Sequence, residues 1–229
     1  MSLQEQLVYY WPELVLSLEQ TAIMMGISLS VALLVGLPLG MALYLTHPKV
    51  QQREHWAYWV FNALISIIRS FPFLLFVVVL IPVVRFLIGR AFGPVPASFP
   101  LSIVAIAIFA RLVEQVLLDI PNEIRLLADS LGATTRQYIW HFLLVEGRSG
   151  LVLAFTTTIV SMTSYSTVMG IVGGGGIGDF AIRYGYQSYQ YGIMYVAILI
   201  MVGFVFVVQM LGNQLAHQLL SLIHIVLCR

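Results

Sequence analysis

Long stretches without charge constrain this chain more than any other feature. From Thr21 to Leu45 there are 25 successive residues without Asp, Glu, Lys or Arg, and from Leu151 to Val172 another 22. A helix crosses the hydrocarbon core of a bilayer in about 20 apolar residues. The rest of the chain cannot clothe such stretches in polar surface. It is 60% hydrophobic and only 9% charged, whereas a soluble domain carries about 25% charged residues. The chain is that of a membrane protein.

Five spans are predicted, in one all-α polytopic domain covering residues 1–229. They run over about 21–45, 56–84, 100–118, 151–172 and 192–211. Gly36, Pro38 and Gly40 are expected to bend the first. The second is interrupted by Arg69 and Pro72, and the third carries Arg111 and Glu114, three apart and able to pair on one helix face. The apolar tail 212–229 contains His217 and His224 and is short for a crossing, so it reads as an interfacial helix or an extension of the fifth span. Two histidines without a third ligand make a weak metal site.

Lys and Arg concentrate on the cytoplasmic side of membrane proteins. With the N-terminus outside, the inner side receives Lys49, Arg53, Arg125, Arg136, Arg148 and Arg229, and the outer side Arg85, Arg90 and Arg183. The predicted topology is therefore N-out, C-in. No basic residue precedes Lys49, so the chain lacks the positive start of a signal peptide and the first apolar stretch is expected to stay as a span.

Several functions are excluded. A net charge of +1 with a single lysine offers no basic footprint for nucleic acid. The one cysteine, Cys228, permits no intrachain disulfide and no cysteine-built metal site. A phosphate-binding P-loop needs a lysine after a glycine loop, but Lys49 follows His47-Pro48. Gly173-Gly174-Gly175-Gly176-Ile177-Gly178 formally contains a dinucleotide fingerprint, yet no strand–helix–strand context surrounds it.

One polar segment of substance, 119–149, separates the third and fourth spans, and is placed in the cytoplasm. Pro121-Asn122 can start a helix with Asn122 as cap, Ile124, Leu127 and Leu131 form an apolar stripe, and Gly132 suits a C-terminal cap. Thr134 or Thr135 can cap a second short helix with Tyr138, Ile139, Phe142 and Leu143 on one face. On the residues alone, the pair either lies along the membrane surface or docks into a soluble partner.

Ala128-Asp129-Ser130-Leu131-Gly132-Ala133-Thr134, followed by Leu144-Val145-Glu146-Gly147, resembles the cytoplasmic loop motif of ABC-importer permeases. Arg69-Ser70-Phe71-Pro72-Phe73, Ala110 to Glu114, Asp119-Ile120-Pro121, Tyr165-Ser166, Gly173 to Gly178 and Tyr184-Gly185-Tyr186 extend the likeness in order. The chain is most similar to the methionine-type permeases, over roughly residues 14–216. It departs from the motif at Leu126-Leu127, where the family has Glu-Ala, and at Val145, where the family has proline.

The resemblance implies a homodimer in a bacterial inner membrane, two cytoplasmic ATPase subunits beneath it, and an extracytoplasmic binding protein above. ATP and magnesium would be held by the partner ATPase, with no cofactor on this chain. Asp129, Ser130, Leu131, Gly132, Ala133, Thr134 and Glu146 would couple to the ATPase. Arg69, Met162, Tyr165, Ser166 and Met169, with Gly173, Gly174, Gly175, Gly176 and Gly178, would line or gate the path. The implied cargo is methionine or a related amino acid, moved by alternating access, and the chain itself is no catalyst. Other readings stay open: a permease for another small polar substrate, or a self-contained secondary carrier or channel. On the residues alone, the hydroxyls of the fourth span can equally bond neighbouring helices, Arg69 can snorkel or bond a carbonyl, and the glycine run can be a plain flexible turn.

Overall fold

The computed structural model describes residues 3–51 and 56–227, and among these the secondary structure is entirely helical. Arg53, Cys228 and Arg229, which entered the reading above, lie outside the described residues. Four helices are long and apolar enough to cross a bilayer, and a bent pair supplies the fifth candidate.

After a short N-terminal helix over Leu3–Tyr9, the first long helix, α1, runs unbroken from Trp11 to Thr46. It starts ten residues before the predicted boundary because Pro12 sits in the first turn, where a missing N–H costs nothing. Gly36, Pro38 and Gly40, where a bend is expected, do not interrupt the helix. A single wide π turn over Ala32–Gly36 precedes Pro38 and accommodates its missing hydrogen bond. The two glycines serve packing instead. A Cβ on Gly40 would stand 2.6 Å from the Ala110 carbonyl, and one on Gly36 would stand 3.2 Å from the Phe109 ring. Glycines four apart let two helix backbones approach closely in a membrane.

The second predicted span is two helices, α2 (Trp56–Ser70) and α3 (Phe73–Ile88), which meet at 108°. The break follows from Pro72: a residue before proline is pushed out of the helical region, which ends α2 at Ser70 and leaves Phe71 between the helices. With 15 and 16 residues, the halves are about 22 and 24 Å long. Neither spans a core of about 30 Å alone.

Helix α4, Pro94–Leu118, is the hub. It begins six residues earlier than predicted, because Pro94 falls within the first turn, where proline is tolerated. Ala105, Phe109, Ala110, Val113 and Leu117 are almost wholly buried on it, against α1, α2, α3 and the next long helix.

The polar segment is shorter than predicted. It holds α5, Asn122–Ser130, whose cap position is Pro121 rather than Asn122. The expected second short helix is the start of α6, which runs without interruption from Thr135 to Ile171. With Val145 in place of a proline, nothing between Tyr138 and Leu151 stops it, and a π turn over Tyr138–Leu143 takes up the local irregularity.

A glycine turn then leads to α7, Ile177–Phe180, continued in wider turns over Ala181–Gln187. The last helix, α8, runs from Tyr191 to Leu227, so the tail continues the fifth span. Arg148 donates to the Leu219 carbonyl at 3.1 Å and Ser149 to the Ala216 carbonyl at 3.0 Å, clamping α8 to α6.

Candidate functional site

The break between α2 and α3 opens a cavity of about 330 Å³ against α4 and α6. Arg69 reaches it from the last turn of α2, Phe73 and Phe76 from α3, Arg111 from α4, and Ser161 and Tyr165 from α6. Phe73 packs on Tyr165 with ring centres 4.6 Å apart. Residues 69 and 165, nearly a hundred positions apart, are thus neighbours around one space.

The two arginines differ. Arg111 is engaged: it donates to Glu114 at 2.5 Å and to the Asn62 side-chain amide oxygen Oδ1 at 3.1 Å. Glu114 is 1% exposed, whereas the Arg111 side chain is 29% exposed, so the carboxylate is buried beneath its partner. Arg69 makes no hydrogen bond or ion pair with any described residue. The cavity therefore contains one compensated cation and one open one. An open cation beside hydroxyls and phenyl rings can receive an anionic group on a partly apolar molecule.

Other predicted pathway residues lie elsewhere. Met162, Ser166 and Met169 are buried within the chain. The Ser166 hydroxyl donates to the Thr163 carbonyl at 2.8 Å, and Thr158 and Thr163 bond back to their own helix in the same way. Met162 and Met169 belong to the central apolar core.

The glycine segment Gly173–Gly178 is a packed, hydrogen-bonded turn. Gly173, Gly175 and Gly176 have positive φ. The Gly174 N–H bonds the Met169 carbonyl at 2.8 Å, and the Gly173 carbonyl accepts from Gly93 at 3.0 Å. Two side chains of α1 then satisfy the next amides: Gln20 accepts from Gly176 at 2.8 Å and Thr21 from Ile177 at 2.9 Å. Gly178 faces α6 so closely that a Cβ there would lie 2.6 Å from the Thr167 Cα.

The turn after α5 is built differently. Leu131 caps the helix, Gly132 follows at φ +66°, Ala133 N–H bonds the Ala128 carbonyl at 3.0 Å and Gly132 N–H bonds Asp129 at 3.0 Å. This is a Schellman closure. Thr134 and Gln137 then form a reciprocal capping box that starts α6. Around Gly132 a Cβ would meet nothing within 4 Å. Leu126 and Leu131 are 64% and 68% exposed, and Asp129 and Ser130 are exposed with them. Glu146 stands apart, twelve residues on from Thr134 along α6.

Behind this turn, Tyr44 of α1 and Tyr138 of α6 share a buried hydroxyl contact of 2.9 Å, and Arg125 of α5 bonds the Val50 carbonyl. Sequence reasoning missed Gln20, Thr21, Asn62, Phe76 and the two tyrosines. The adjacent polar pair Gln20-Thr21 at the edge of a charge-free run was the one available signal. The others are defined by contacts distant in sequence.

The chain resembles transport proteins over nearly its whole length. The family described as binding-protein-dependent transport system inner membrane component matches residues 20–220. A probable D-methionine transport system permease protein MetI of Vibrio cholerae is 37% identical over 199 residues, covering 87% of this chain and 88% of the relative. Its counterpart in Haemophilus influenzae is 38% identical over 187 residues, covering 82% and 88%. A solved structure of the MetNI methionine ABC transporter in an inward-facing conformation contains a chain that superposes with a TM-score of 0.88 at 32% identity. The match covers 92% of this chain and 97% of that one. A solved amino acid ABC transporter shares the fold at a TM-score of 0.70 and 18% identity. With this match and its helices, the chain belongs to the family of binding-protein-dependent transport system inner membrane components.

Proposed function

We propose that this chain is the permease subunit of an ATP-driven importer that carries methionine or a closely related amino acid into the cytoplasm. Two copies enclose one path, two ATPase subunits dock beneath them, and a binding protein delivers the cargo from outside. The chain lies N-out, C-in, in agreement with the excess of Lys and Arg assigned to the inner side. ATP and magnesium act on the partner ATPase, since this chain has no P-loop lysine.

The observation that carries the reading is the exposed turn at the end of α5. An amphipathic helix with Leu126, Leu127 and Leu131 uncovered, closed by a glycine with empty space around it, suits a docking element that enters a groove of a partner. Asp129, Ser130, Leu131, Gly132, Ala133 and Thr134 form the contact, with Glu146 supporting it from α6. The rigid continuity of α6 from Thr135 to Ile171 supports a direct mechanical link from that contact to Tyr165. Motor closure drives the turns of the two copies together, and α6 carries the movement to the path. Arg69 and Tyr165 line that path. Met162, Ser166 and Met169 set the packing of α6, and the turn Gly173, Gly174, Gly175, Gly176 and Gly178 closes its outer end.

The test is uptake of labelled methionine into liposomes containing this permease with its co-purified ATPase and binding protein. Accumulation is expected only with ATP and all components. Accumulation driven by an ion gradient alone, in the absence of any ATPase, would overturn the proposal.

A further inference from the structure

We infer that the cavity at the break between α2 and α3 is a binding site for one carboxylate, held by Arg69, on a molecule whose uncharged side chain packs against the phenyl rings beside it. The inference rests on the proposed transport function and deepens it, by assigning where in the membrane domain an amino acid is held and in which orientation.

Three observations converge. First, Arg69 is a cation without any partner among the described residues, placed in a chain stretch that is otherwise uncharged from Trp56 to Val84. A charge in such a stretch is costly and is retained where it has work to do. Second, the neighbouring Arg111, which also lines the cavity, has its charge compensated by Glu114 at 2.5 Å and is bonded to the Asn62 side-chain oxygen at 3.1 Å. The space thus presents the charge of a single free guanidinium, which matches one carboxylate and not two. Third, the wall opposite is aromatic and hydroxylic. Phe73 stacks on Tyr165 at 4.6 Å, Phe71 and Phe76 lie 6.2 Å apart, and Ser161 completes the α6 side. A volume of about 330 Å³ is at the small end of sites for small molecules, about 300–1,000 Å³.

The roles follow from the chemistry. The planar guanidinium of Arg69 offers paired N–H donors to a carboxylate. The Tyr165 oxygen can accept from an ammonium group, and the phenyl rings take an apolar or thioether side chain. A basic side chain would face Arg69 at close range, and an acidic one would bring a second carboxylate with no second free cation. Glu114 is a positioning residue here: it keeps Arg111 occupied and so fixes the charge of the site.

Labelling of a reporter cysteine provides the test, because Cys228 is the chain's sole native cysteine. In a Cys228→Ser background, Ser161→Cys places a thiol in the cavity. The permease–ATPase complex in nanodiscs is labelled with a small methanethiosulfonate, with methionine or methioninol as competitor. Methioninol keeps the side chain and amine but lacks the carboxylate. Methionine is expected to slow labelling, and methioninol to need about tenfold more to do so, the usual effect of a hydrogen bond to a charged group. Arg69→Gln is expected to remove that difference by weakening methionine alone, and Arg69→Lys to restore part of it. Glutamate and lysine should give no protection in the parent protein.

Equal protection by methionine and methioninol, or no change in their ratio on Arg69→Gln, would overturn the inference. So would labelling that depends on phosphatidylglycerol content and not on methionine, since Arg69 would then hold a lipid phosphate. A Ser161→Cys complex that imports methionine with ATP yet shows no protection of its thiol refutes this site and leaves the transport function standing. A parent complex that binds no ATPase and imports nothing with ATP refutes the function itself.

Discussion

The two glycine turns of this molecule use the same residue for opposite reasons. At Gly173–Gly178 the fold occupies the space around the backbone: side chains of α1 bond the amides, and Gly178 lies against the backbone of α6. At Gly132 the helix-ending bonds are all local, and a Cβ would meet nothing within 4 Å. The first turn is a piece of the interior that happens to change direction. The second is a finished local structure with its outer side left open, as a surface for a partner requires. Glycine content alone therefore does not distinguish a gate from a brace, since the distinction lies in what surrounds each one.

The largest effect expected to test this contrast is on Gly178. Gly178→Val places side-chain atoms against the Thr167 backbone, which cannot rotate away. A loss of about 3 kcal/mol is expected, seen as a large fall in the thermal midpoint of the permease in nanodiscs. A midpoint unchanged from the parent would show that the outer turn is loosely held and erase the contrast.

Next in size are the α1 side chains that bond the turn. Gln20→Ala and Thr21→Val each leave a buried amide without its acceptor, at a cost of about 2 kcal/mol. Hydrogen exchange at Gly176 and Ile177 should rise in these variants, and exchange near Gly132 should not.

For the inner turn, Gly132→Ala should cost about 1 kcal/mol, the penalty of a left-handed backbone for a residue with a Cβ. The informative change is Gly132→Trp. It should fold nearly as well as Gly132→Ala while lowering methionine uptake per ATP hydrolysed in the assembled transporter. Full uptake by Gly132→Trp would remove the docking role. The smallest effect is expected from Thr134→Ala, which breaks an exposed capping box and should cost about 0.5 kcal/mol. Its midpoint would shift slightly, and the ratio of uptake to hydrolysis would separate loosening of the turn from loss of contact.

Much of the local structure was legible in the sequence. The capping roles of Thr134 and Gly132 were visible as residue types at the right spacing, because caps and turns are decided within five or six positions. The ion pair of Arg111 and Glu114 followed from their separation of three on one helix. Boundaries were less accessible. The start of α1 at Trp11, the merger of the second short helix with α6 and the extension of α8 all exceed the apolar runs, since a helix continues through polar residues wherever no proline or cap stops it. The hydroxyl stretch of α6 was ambiguous by nature. Its Thr158, Thr163 and Ser166 bond their own backbone inside the protein, whereas Thr157, Ser161 and Tyr165 line the cavity.

Sequence by itself determined the membrane class, the helical architecture and the absence of a P-loop in this chain. Each follows from composition over one span or from a motif with fixed spacing. Tertiary structure alone decided the 108° angle at which the halves of the second span meet beside Pro72, and therefore that Arg69 meets Tyr165 across a cavity. It also decided which arginine is compensated, because Asn62 and Glu114 approach Arg111 from two helices and leave Arg69 alone. The physical reason is range. Apolar runs, caps and helix pairs are energies of near neighbours, whereas a binding cavity depends on how packed helices place residues that the chain keeps far apart.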